Sequence, residues 1–203
     1  MSRFPILGDI SADHFLAEYW QKKPLLIRNA IKDFIPPIDA EELAGLSLED
    51  DVESRLVIGD DWRVEHGPFD EERFQQLGDA NWTLLVQGVN LWVPKVAELF
   101  NYFSFLPSWR IDDVMVSYAT DGGSVGPHYD NYDVFLLQGS GKRRWQVGDI
   151  CTEDSPLIQH SDLRILDDYQ FDLNWDLNAG DMLYLPPKYS HYGIALGGCT
   201  TFS

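Results

Sequence analysis

The chain has 203 residues, of which 44% are hydrophobic and 13% aromatic, a content that suits one compact domain and excludes a disordered chain. A formal net charge of −18 argues against a protein that binds the phosphate backbone of nucleic acids. The negative charge either favours a basic partner or serves solubility alone. No stretch approaches the roughly 20 apolar residues that cross a bilayer, so we expect a soluble, cytoplasmic protein without a membrane partner.

The first half of the sequence predicts a mixed region of helices and strands. Ser11 is predicted to cap the first helix, and the strands on either side of Gly59-Asp60-Asp61 are predicted to form a hairpin. After the first helix, the predicted helices cover residues 40–46, 71–77 and 93–103, and the predicted strands cover 24–27, 55–58, 62–65 and 82–89.

From Ile111 onward the sequence predicts one strand after another, separated by glycine turns. This spacing is typical of a double-sheet jelly roll and not of parallel βαβ units. We therefore predict a single α+β domain, mainly β, over residues 1–203, with a flank at 1–108 and a jelly-roll core at 109–203. The predicted strands of the core cover residues 114–118, 128–138, 143–147, 164–166, 182–185 and 192–196.

His128 and Asp130 lie two residues apart in one of these predicted strands. Residues i and i+2 share one face of a strand, so an imidazole and a carboxylate would point to the same place. Two histidines and one carboxylate bind redox iron and leave three adjacent positions open, so a second histidine is required. His191 is the candidate, because the turn and the two prolines at 180–187 lead the chain to it.

The other potential metal ligands are predicted to be structural or exposed, with His160 in a solvated loop. His14 lies in the first helix, His66 precedes a Gly-Pro pair, and His160 lies in a polar stretch without strand alternation. Cys151 and Cys199 lie outside any CxxC spacing and are predicted to be ordinary thiols. The alternative to a metal site is a hydrogen-bonded polar cluster in the core.

The strand that follows the histidine–aspartate pair begins Gly141-Lys-Arg-Arg-Trp145 and carries three cations. Alternation sends Arg143 to one face and its two basic neighbours to the other. A buried arginine needs a partner, and the carboxylate of a dicarboxylic co-substrate would supply one through a bidentate contact. We choose Arg143 as the buried cation; three solvated cations on an edge strand are the alternative.

Together these residues resemble the JmjC group of 2-oxoglutarate-dependent oxygenases, within the cupin-like double-stranded β-helix fold. The motifs are His128-Tyr-Asp130, Arg143, Gly180-Asp-Met-Leu-Tyr-Leu-Pro-Pro187 and His191. Further segments, such as Trp109-Arg-Ile-Asp-Asp113 and Gly126-Pro-His-Tyr-Asp-Asn-Tyr-Asp-Val-Phe135, are similar to the bacterial ribosomal oxygenase branch, and the resemblance covers nearly the whole chain.

The resemblance implies an Fe(II) dioxygenase that uses 2-oxoglutarate and O2 to hydroxylate an arginine side chain of a basic protein of the large ribosomal subunit. The animal relatives act on histidine. It implies that iron is held by His128, Asp130 and His191, and that the far carboxylate of 2-oxoglutarate is bound by Arg143. Thr201, in the final strand, is a further candidate for co-substrate binding. Tyr132, on the strand face of the ligand pair, is a candidate for the substrate pocket.

Two other functions stay open at this point. One is a cupin metalloenzyme that uses no oxo acid, and the other is a non-catalytic module that binds a basic ribosomal protein. Demethylation by the same chemistry ranks below hydroxylation. The bacterial relatives continue into a helical dimerisation segment and a winged-helix-like domain, whereas this sequence stops at Thr200-Thr-Phe-Ser203. Dimerisation, full activity and the identity of the substrate protein therefore stay open.

Overall fold

The computed structural model describes residues 5–159 and 162–203, and three of the four α-helices in these residues begin at side-chain caps that the sequence supplies. The α-helices are α1 (Ala12–Glu18), α2 (Ala40–Leu46), α3 (Glu71–Gln75) and α4 (Pro94–Ala97). The side chain of Ser11 accepts a hydrogen bond from the backbone N–H of His14, as predicted. Asp39 and Glu42 form a reciprocal capping box at the start of α2, which satisfies two further N–H groups.

Eleven strands are found among the described residues. They are β1 (Leu25–Ile27), β2 (Ser54–Ile58), β3 (Arg63–His66), β4 (Trp82–Val86), β5 (Val116–Ala119), β6 (Val134–Gln138), β7 (Lys142–Ile150), β8 (Leu173–Asn178), β9 (Met182–Leu185), β10 (Tyr189–Ala195) and β11 (Cys199–Phe202). The predicted hairpin is confirmed, because β2 and β3 pair antiparallel and Ile58 lies opposite Arg63.

The strands form two antiparallel sheets. The larger sheet has the order β1-β9-β6-β11-β5-β4-β2-β3, and the smaller has the order β10-β7-β8. Consecutive strands of the chain therefore often lie in different sheets, as in a jelly roll, so the predicted double-stranded β-helix is confirmed. Four strands of the N-terminal flank, β1 to β4, pair within the larger sheet. The division between flank and core at residue 108 stays a prediction.

The larger sheet is buried on both faces. One face packs against the helices around Phe15 and Leu43, and the other packs against the smaller sheet through a cluster that includes Trp145. All four residues of β9 are buried for this reason. Each fully buried side chain of this size contributes about 1.5–3 kcal/mol to stability, so the sheet forms a rigid support for side chains that face inward.

Several sequence predictions differ from the structure. Residues 93–103 form α4 followed by a 3-10 helix, Glu98–Phe103, and not one α-helix. Residues 164–166 form no strand and contribute only an isolated bridge between Leu157 and Leu166. β8 was not predicted, although its alternation of Leu173, Trp175 and Leu177 with polar residues is typical of a half-buried strand.

Two remaining expectations concern the membrane and the cysteines. None of the helices in the described part of the chain combines the length and the apolar character that a membrane span requires. Cys151 and Cys199 are buried, free thiols, as predicted.

Candidate metal centre and co-substrate cavity

Two histidines from different parts of the chain lie side by side in an antiparallel bridge. The N–H of His128 donates to the carbonyl of His191 at 3.0 Å, and the N–H of His191 donates back at 2.8 Å. Directly opposed residues of an antiparallel pair project their side chains to the same face. The two imidazole centroids are consequently only 4.3 Å apart.

Each imidazole is oriented by a backbone carbonyl. Nδ1 of His128 lies 2.9 Å from the oxygen of Gly126, and Nδ1 of His191 lies 2.9 Å from the oxygen of Tyr189. These contacts assign the proton to Nδ1 in both rings and leave both Nε2 lone pairs free, as in most metal-ligating histidines. Gly126 has φ +78°, and a Cβ there would lie 2.6 Å from Cδ1 of Ile165, so only glycine fits beside the first ligand.

Asp130 completes a group of three metal-ligand side chains. Its Oδ2 lies 3.6 Å from Nε2 of His191, and one ligand atom from each of the three residues lies within 4.8 Å of the others. Within residues 5–159 and 162–203, this is the one group of three or more His, Cys, Asp or Glu side chains with that geometry. Two imidazoles and a carboxylate on one side of an open cavity match the facial arrangement that holds Fe(II).

The predicted strand over residues 128–138 is confirmed only for residues 134–138, and His128 and Asp130, which it was meant to bring together, meet without it. β6 begins only at Val134, and residues 129–133 have no strand partner. Asp130 is held instead by the N–H of Lys188, which donates to its carbonyl oxygen at 2.6 Å. The backbone departs from strand geometry here, because the carbonyl of Asp130 accepts from the turn before β10. The alternation of side chains along a strand therefore does not explain why His128 and Asp130 lie together. Tyr132 likewise lies on irregular backbone and not on a strand face.

Burial keeps His191 uncharged. The imidazole is removed from water and lies beside His128, and these two effects, in that order of size, lower the pKa of His191 to about 3. The ring is therefore neutral at physiological pH, and its Nε2 is available to a metal ion without loss of a proton.

The three ligands face a cavity of about 830 Å³ between the two sheets. Its walls include side chains of β2, β4, β5 and β11 from the larger sheet and of β7 and β10 from the smaller one. The volume is in the range of small-molecule sites, about 300–1,000 Å³. The metal group therefore borders a space large enough for a small co-substrate and part of a second molecule.

Arg143 projects from β7 into this cavity, as the alternation of that strand predicted. It is 5% exposed, whereas Lys142 is exposed and Arg144 pairs with Asp176 on the outer side at 2.7 Å. Nη1 of Arg143 has one long contact, 3.4 Å to Oγ of Ser117. Nε and Nη2 have no hydrogen-bond partner. A buried guanidinium with unpaired donors fits a carboxylate ligand, which accepts two parallel hydrogen bonds from such a fork.

A row of hydroxyl side chains faces Arg143 from the larger sheet. Thr201 on β11 lies directly opposite Ser117 on β5, both are buried, and both line the cavity. The Thr201 hydroxyl donates a long hydrogen bond, 3.3 Å, to Oε1 of Gln138. Thr201 was a candidate from the sequence, and its role stays a prediction. Ser117 was missed, because β5 is largely buried on both faces and its sequence does not show which side chain points into the cavity.

Residues 98–203 match the family model of the JmjC domain. The chain belongs to the JmjC family. It is 44% identical over 198 residues to a probable ribosomal oxygenase of Haemophilus influenzae, which covers 96% of this chain and 49% of that protein. It is 46% identical over 191 residues to the ribosomal protein uL16 3-hydroxylase of Escherichia coli, which covers 93% of this chain and 50% of that protein.

A solved structure of the Escherichia coli ribosomal oxygenase in complex with cobalt and 2-oxoglutarate has a TM-score of 0.85 at 42% identity, over 96% of this chain and 50% of that one. The family and branch that the motifs resembled are thereby confirmed. The JmjC chain described here spans about half the length of the curated relatives it matches.

Charged side chains of both signs line the JmjC cavity, with Asp112 and Asp113 among the carboxylates and Arg55, Arg110 and Arg164 among the cations. Oδ2 of Asp113 accepts hydrogen bonds from the side chain of Gln87 and the N–H of Gly88, both at 2.8 Å. Tyr132 also lines the cavity and is 64% exposed. Partial burial, and next the Asp130 carboxylate, raise the pKa of Tyr132, so its hydroxyl stays protonated. The exposed carboxylate of Asp112 and the phenol of Tyr132 are therefore accessible to a second molecule.

The segment between Asp130 and β6 is tied to the core by a buried tyrosine. The hydroxyl of Tyr184 on β9 donates to Oδ1 of Asp133 at 2.5 Å and accepts from the N–H of Gln21 at 2.8 Å. The side chain of Gln21 donates to the other oxygen of Asp133 at 3.1 Å. These contacts hold the end of the ligand-bearing segment against the helix-packed face of the larger sheet.

Two of the histidines that sequence reasoning set aside, His14 and His66, are exposed and do not belong to the group of three. His160 lies outside the described residues. Among the described residues, the candidate metal group consists of the three residues that the sequence indicated, and their role as ligands stays a prediction.

Proposed function

We propose that this chain carries the catalytic centre of an Fe(II)- and 2-oxoglutarate-dependent protein hydroxylase that acts on an arginine side chain of a large-subunit ribosomal protein, with uL16 as the candidate substrate. The observation that carries the proposal is one cavity with two poles. His128, Asp130 and His191 meet at one pole, and the unpaired donors of Arg143 lie at the other.

This arrangement suits a dicarboxylic keto acid. One end of such a molecule has a keto group and a carboxylate, which bind a metal ion together, and the other end has a carboxylate that fits Arg143. Iron bound to the three ligands would supply redox chemistry in which 2-oxoglutarate and O2 are consumed, succinate and carbon dioxide are released, and one oxygen atom enters a C–H bond. The chain's own part is to orient the reactants and to exclude water from the cavity.

The acidic overall charge supports a basic protein substrate. Asp112 and Asp113 line the cavity and are candidates to pair with a long cationic side chain, and the net charge of −18 favours encounter with ribosomal proteins. Two relatives are described as ribosomal oxygenases or as a uL16 hydroxylase. Tyr132 is proposed to contact the substrate side chain and Thr201 the co-substrate. We also propose a cytoplasmic location, where such a substrate is made.

The direct test is turnover. The purified chain is incubated with Fe(II), 2-oxoglutarate and a uL16 fragment that contains its arginines, under air, and succinate and peptide mass are measured. We expect succinate release and a gain of one oxygen on an arginine of the peptide. The matched control is His128→Ala, which removes one metal ligand and is expected to abolish both signals. Equal turnover by this variant would refute the metal assignment.

The same experiment separates the other functions. Metal-dependent activity that is unaffected by loss of the Arg143 side chain would indicate a cupin enzyme without an oxo acid. Tight peptide capture without succinate would indicate a binding module. Comparison of ribosomal proteins from cells with and without the gene, by mass spectrometry, identifies the substrate protein and residue independently.

A further inference from the structure

Unpaired polar atoms concentrate in the JmjC cavity. Among the described residues, five buried side-chain atoms have no hydrogen-bond partner: Thr83 Oγ1, Arg143 Nε, Arg143 Nη2, Trp145 Nε1 and Tyr169 Oη. The first four belong to residues that line the cavity. Buried polar atoms without partners are rare in native proteins. Their concentration at one place indicates that a polar ligand supplies the missing partners.

Thr83 stands out because nothing in the packing requires its hydroxyl. It is 0% exposed and lies on β4 between Val57, its partner on β2, and Ala119, its partner on β5. Leu85, two residues further along the same face of β4, also lines the cavity. Valine has nearly the same shape as threonine and would fill this apolar wall without an unpaired polar group, so the hydroxyl has no structural use in the chain alone.

Thr83 adds a third hydroxyl to the row formed by Ser117 and Thr201. Ser117 lies opposite Leu85, so Thr83 and Ser117 are diagonal neighbours on the same face of the larger sheet, with Cα atoms about 7–8 Å apart. The Ser117 hydroxyl lies 3.4 Å from Nη1 of Arg143. Ser117 in turn lies opposite Thr201. Thr83, Ser117 and Thr201 therefore come from three adjacent strands and share one face of the larger sheet, where Ser117 contacts the guanidinium of Arg143.

We propose that Thr83 is a co-substrate-binding residue, whose hydroxyl donates a hydrogen bond to the carboxylate that Arg143 holds. A carboxylate has about four lone-pair sites, and the Nε and Nη2 fork of Arg143 fills two of them. The hydroxyl of Thr83 donates to a third lone-pair site. The same contact gives the otherwise unpaired Oγ1 of Thr83 a hydrogen-bond partner. The inference rests on the proposed function, since it assigns the hydroxyl to the far carboxylate of 2-oxoglutarate.

The assignment predicts two effects of opposite sign in one variant. Thr83→Val removes the hydroxyl and keeps the shape, so the affinity for 2-oxoglutarate should fall about 10- to 100-fold, as expected for a hydrogen bond to a charged group. The ligand-free protein should become more stable, with a melting temperature about 2–4 °C higher, because an unpaired buried hydroxyl is replaced by a methyl group. A purely structural hydroxyl would lower the melting temperature instead.

The experiment measures binding and melting without turnover. The dissociation constant of 2-oxoglutarate is determined by calorimetry on Mn(II)-loaded protein without oxygen, and the melting temperature is determined on metal-free protein. Thr83→Ser is expected to restore the affinity. Thr200→Val is the matched control, because Thr200 is 2% exposed and its Oγ1 accepts the N–H of Ser140 at 2.8 Å. That variant should melt at a lower temperature and bind 2-oxoglutarate unchanged.

Two results would overturn the assignment, and they are distinguishable. If the parent protein binds 2-oxoglutarate and Thr83→Val binds it equally well, or melts lower as Thr200→Val does, Thr83 is not a co-substrate residue while the proposed function stands. If the Mn(II)-loaded parent binds no 2-oxoglutarate, the proposed function is wrong and the assignment of Thr83 is wrong with it.

Discussion

Replacement of Arg143 by methionine tests whether the buried guanidinium is kept for a ligand. Methionine has a long flexible side chain without charge, so it fills most of the same space and leaves no unpaired donor. The interactions that the guanidinium makes within the chain are weak. Nη1 lies 3.4 Å from the Ser117 hydroxyl, and the guanidinium carbon lies 5.8 Å from the centroid of the Trp145 ring.

The magnitudes follow from the two unpaired nitrogens of Arg143, Nε and Nη2. Each would form a charge-assisted hydrogen bond to the co-substrate worth about 1.5–3 kcal/mol. Loss of both costs about 3–6 kcal/mol, which weakens 2-oxoglutarate binding by about 10²- to 10⁴-fold. Removal of a buried charge that has no partner in the ligand-free protein should stabilise it by about 1–3 kcal/mol. Each kcal/mol raises the melting temperature by about 2–4 °C.

Calorimetry with 2-oxoglutarate on Mn(II)-loaded protein gives the affinity, and thermal melting of metal-free protein gives the stability. Arg144→Met is the control, since Arg144 is the next residue of β7 but points outward to Asp176. We expect it to leave the affinity unchanged. If Arg143→Met melted several degrees lower and bound 2-oxoglutarate within about threefold of the parent, the guanidinium would have a structural role and the reasoning would be refuted.

Three further predictions concern the metal, the ligand-bearing segment and the fold. His191→Ala should weaken Co(II) binding more than about 100-fold, measured by absorption titration, because even loss of an outer hydrogen bond to a metal ligand costs 10- to 100-fold; a smaller effect would contradict the three-ligand site. Tyr184→Phe leaves Oδ1 of Asp133 without its donor and should lower the free energy of unfolding in urea by about 1–3 kcal/mol, with Co(II) affinity unchanged. Asp181→Ala removes the buried carboxylate that accepts from two backbone N–H groups, whereas the half-exposed Arg28 can turn to water, so unfolding in urea should become easier by about 2–4 kcal/mol, and a change below about 1 kcal/mol would argue against that network.

The metal ligands could be predicted from the sequence because their chemistry is local and their order along the chain is informative. His128 and Asp130 stand close together, and a glycine turn with two prolines leads to His191. The geometric reason given for the pair was wrong, because a tertiary hydrogen bond from Lys188, and not strand alternation, fixes the aspartate. Residue type and spacing thus identified the site, whereas its backbone depended on contacts across the fold.

The hydroxyl row could not be predicted in the same way. Thr83, Ser117 and Thr201 stand on three strands, and threonine is common in any strand for its β-branched shape. Their convergence depends on the register of β4, β5 and β11, which no local pattern in these short strands specifies. The inward position of Arg143 was easier to predict, because alternation along β7 alone places its side chain on the opposite face from those of Lys142 and Arg144. Features confined to one element could be predicted from the sequence. Features assembled from several elements could be recognised only once the pairing of the strands was known.

The larger sheet joins both halves of the chain, and this limits where the protein can be cut. The JmjC match begins at residue 98, yet β1 to β4 precede that residue. All four residues of β5 pair with β4. A fragment of residues 98–203 would keep all three metal ligands but expose the edge of β5, which invites intermolecular pairing. It would also lose the wall that contains Val57 and Thr83. The unit that can fold is therefore larger than the segment that defines the family.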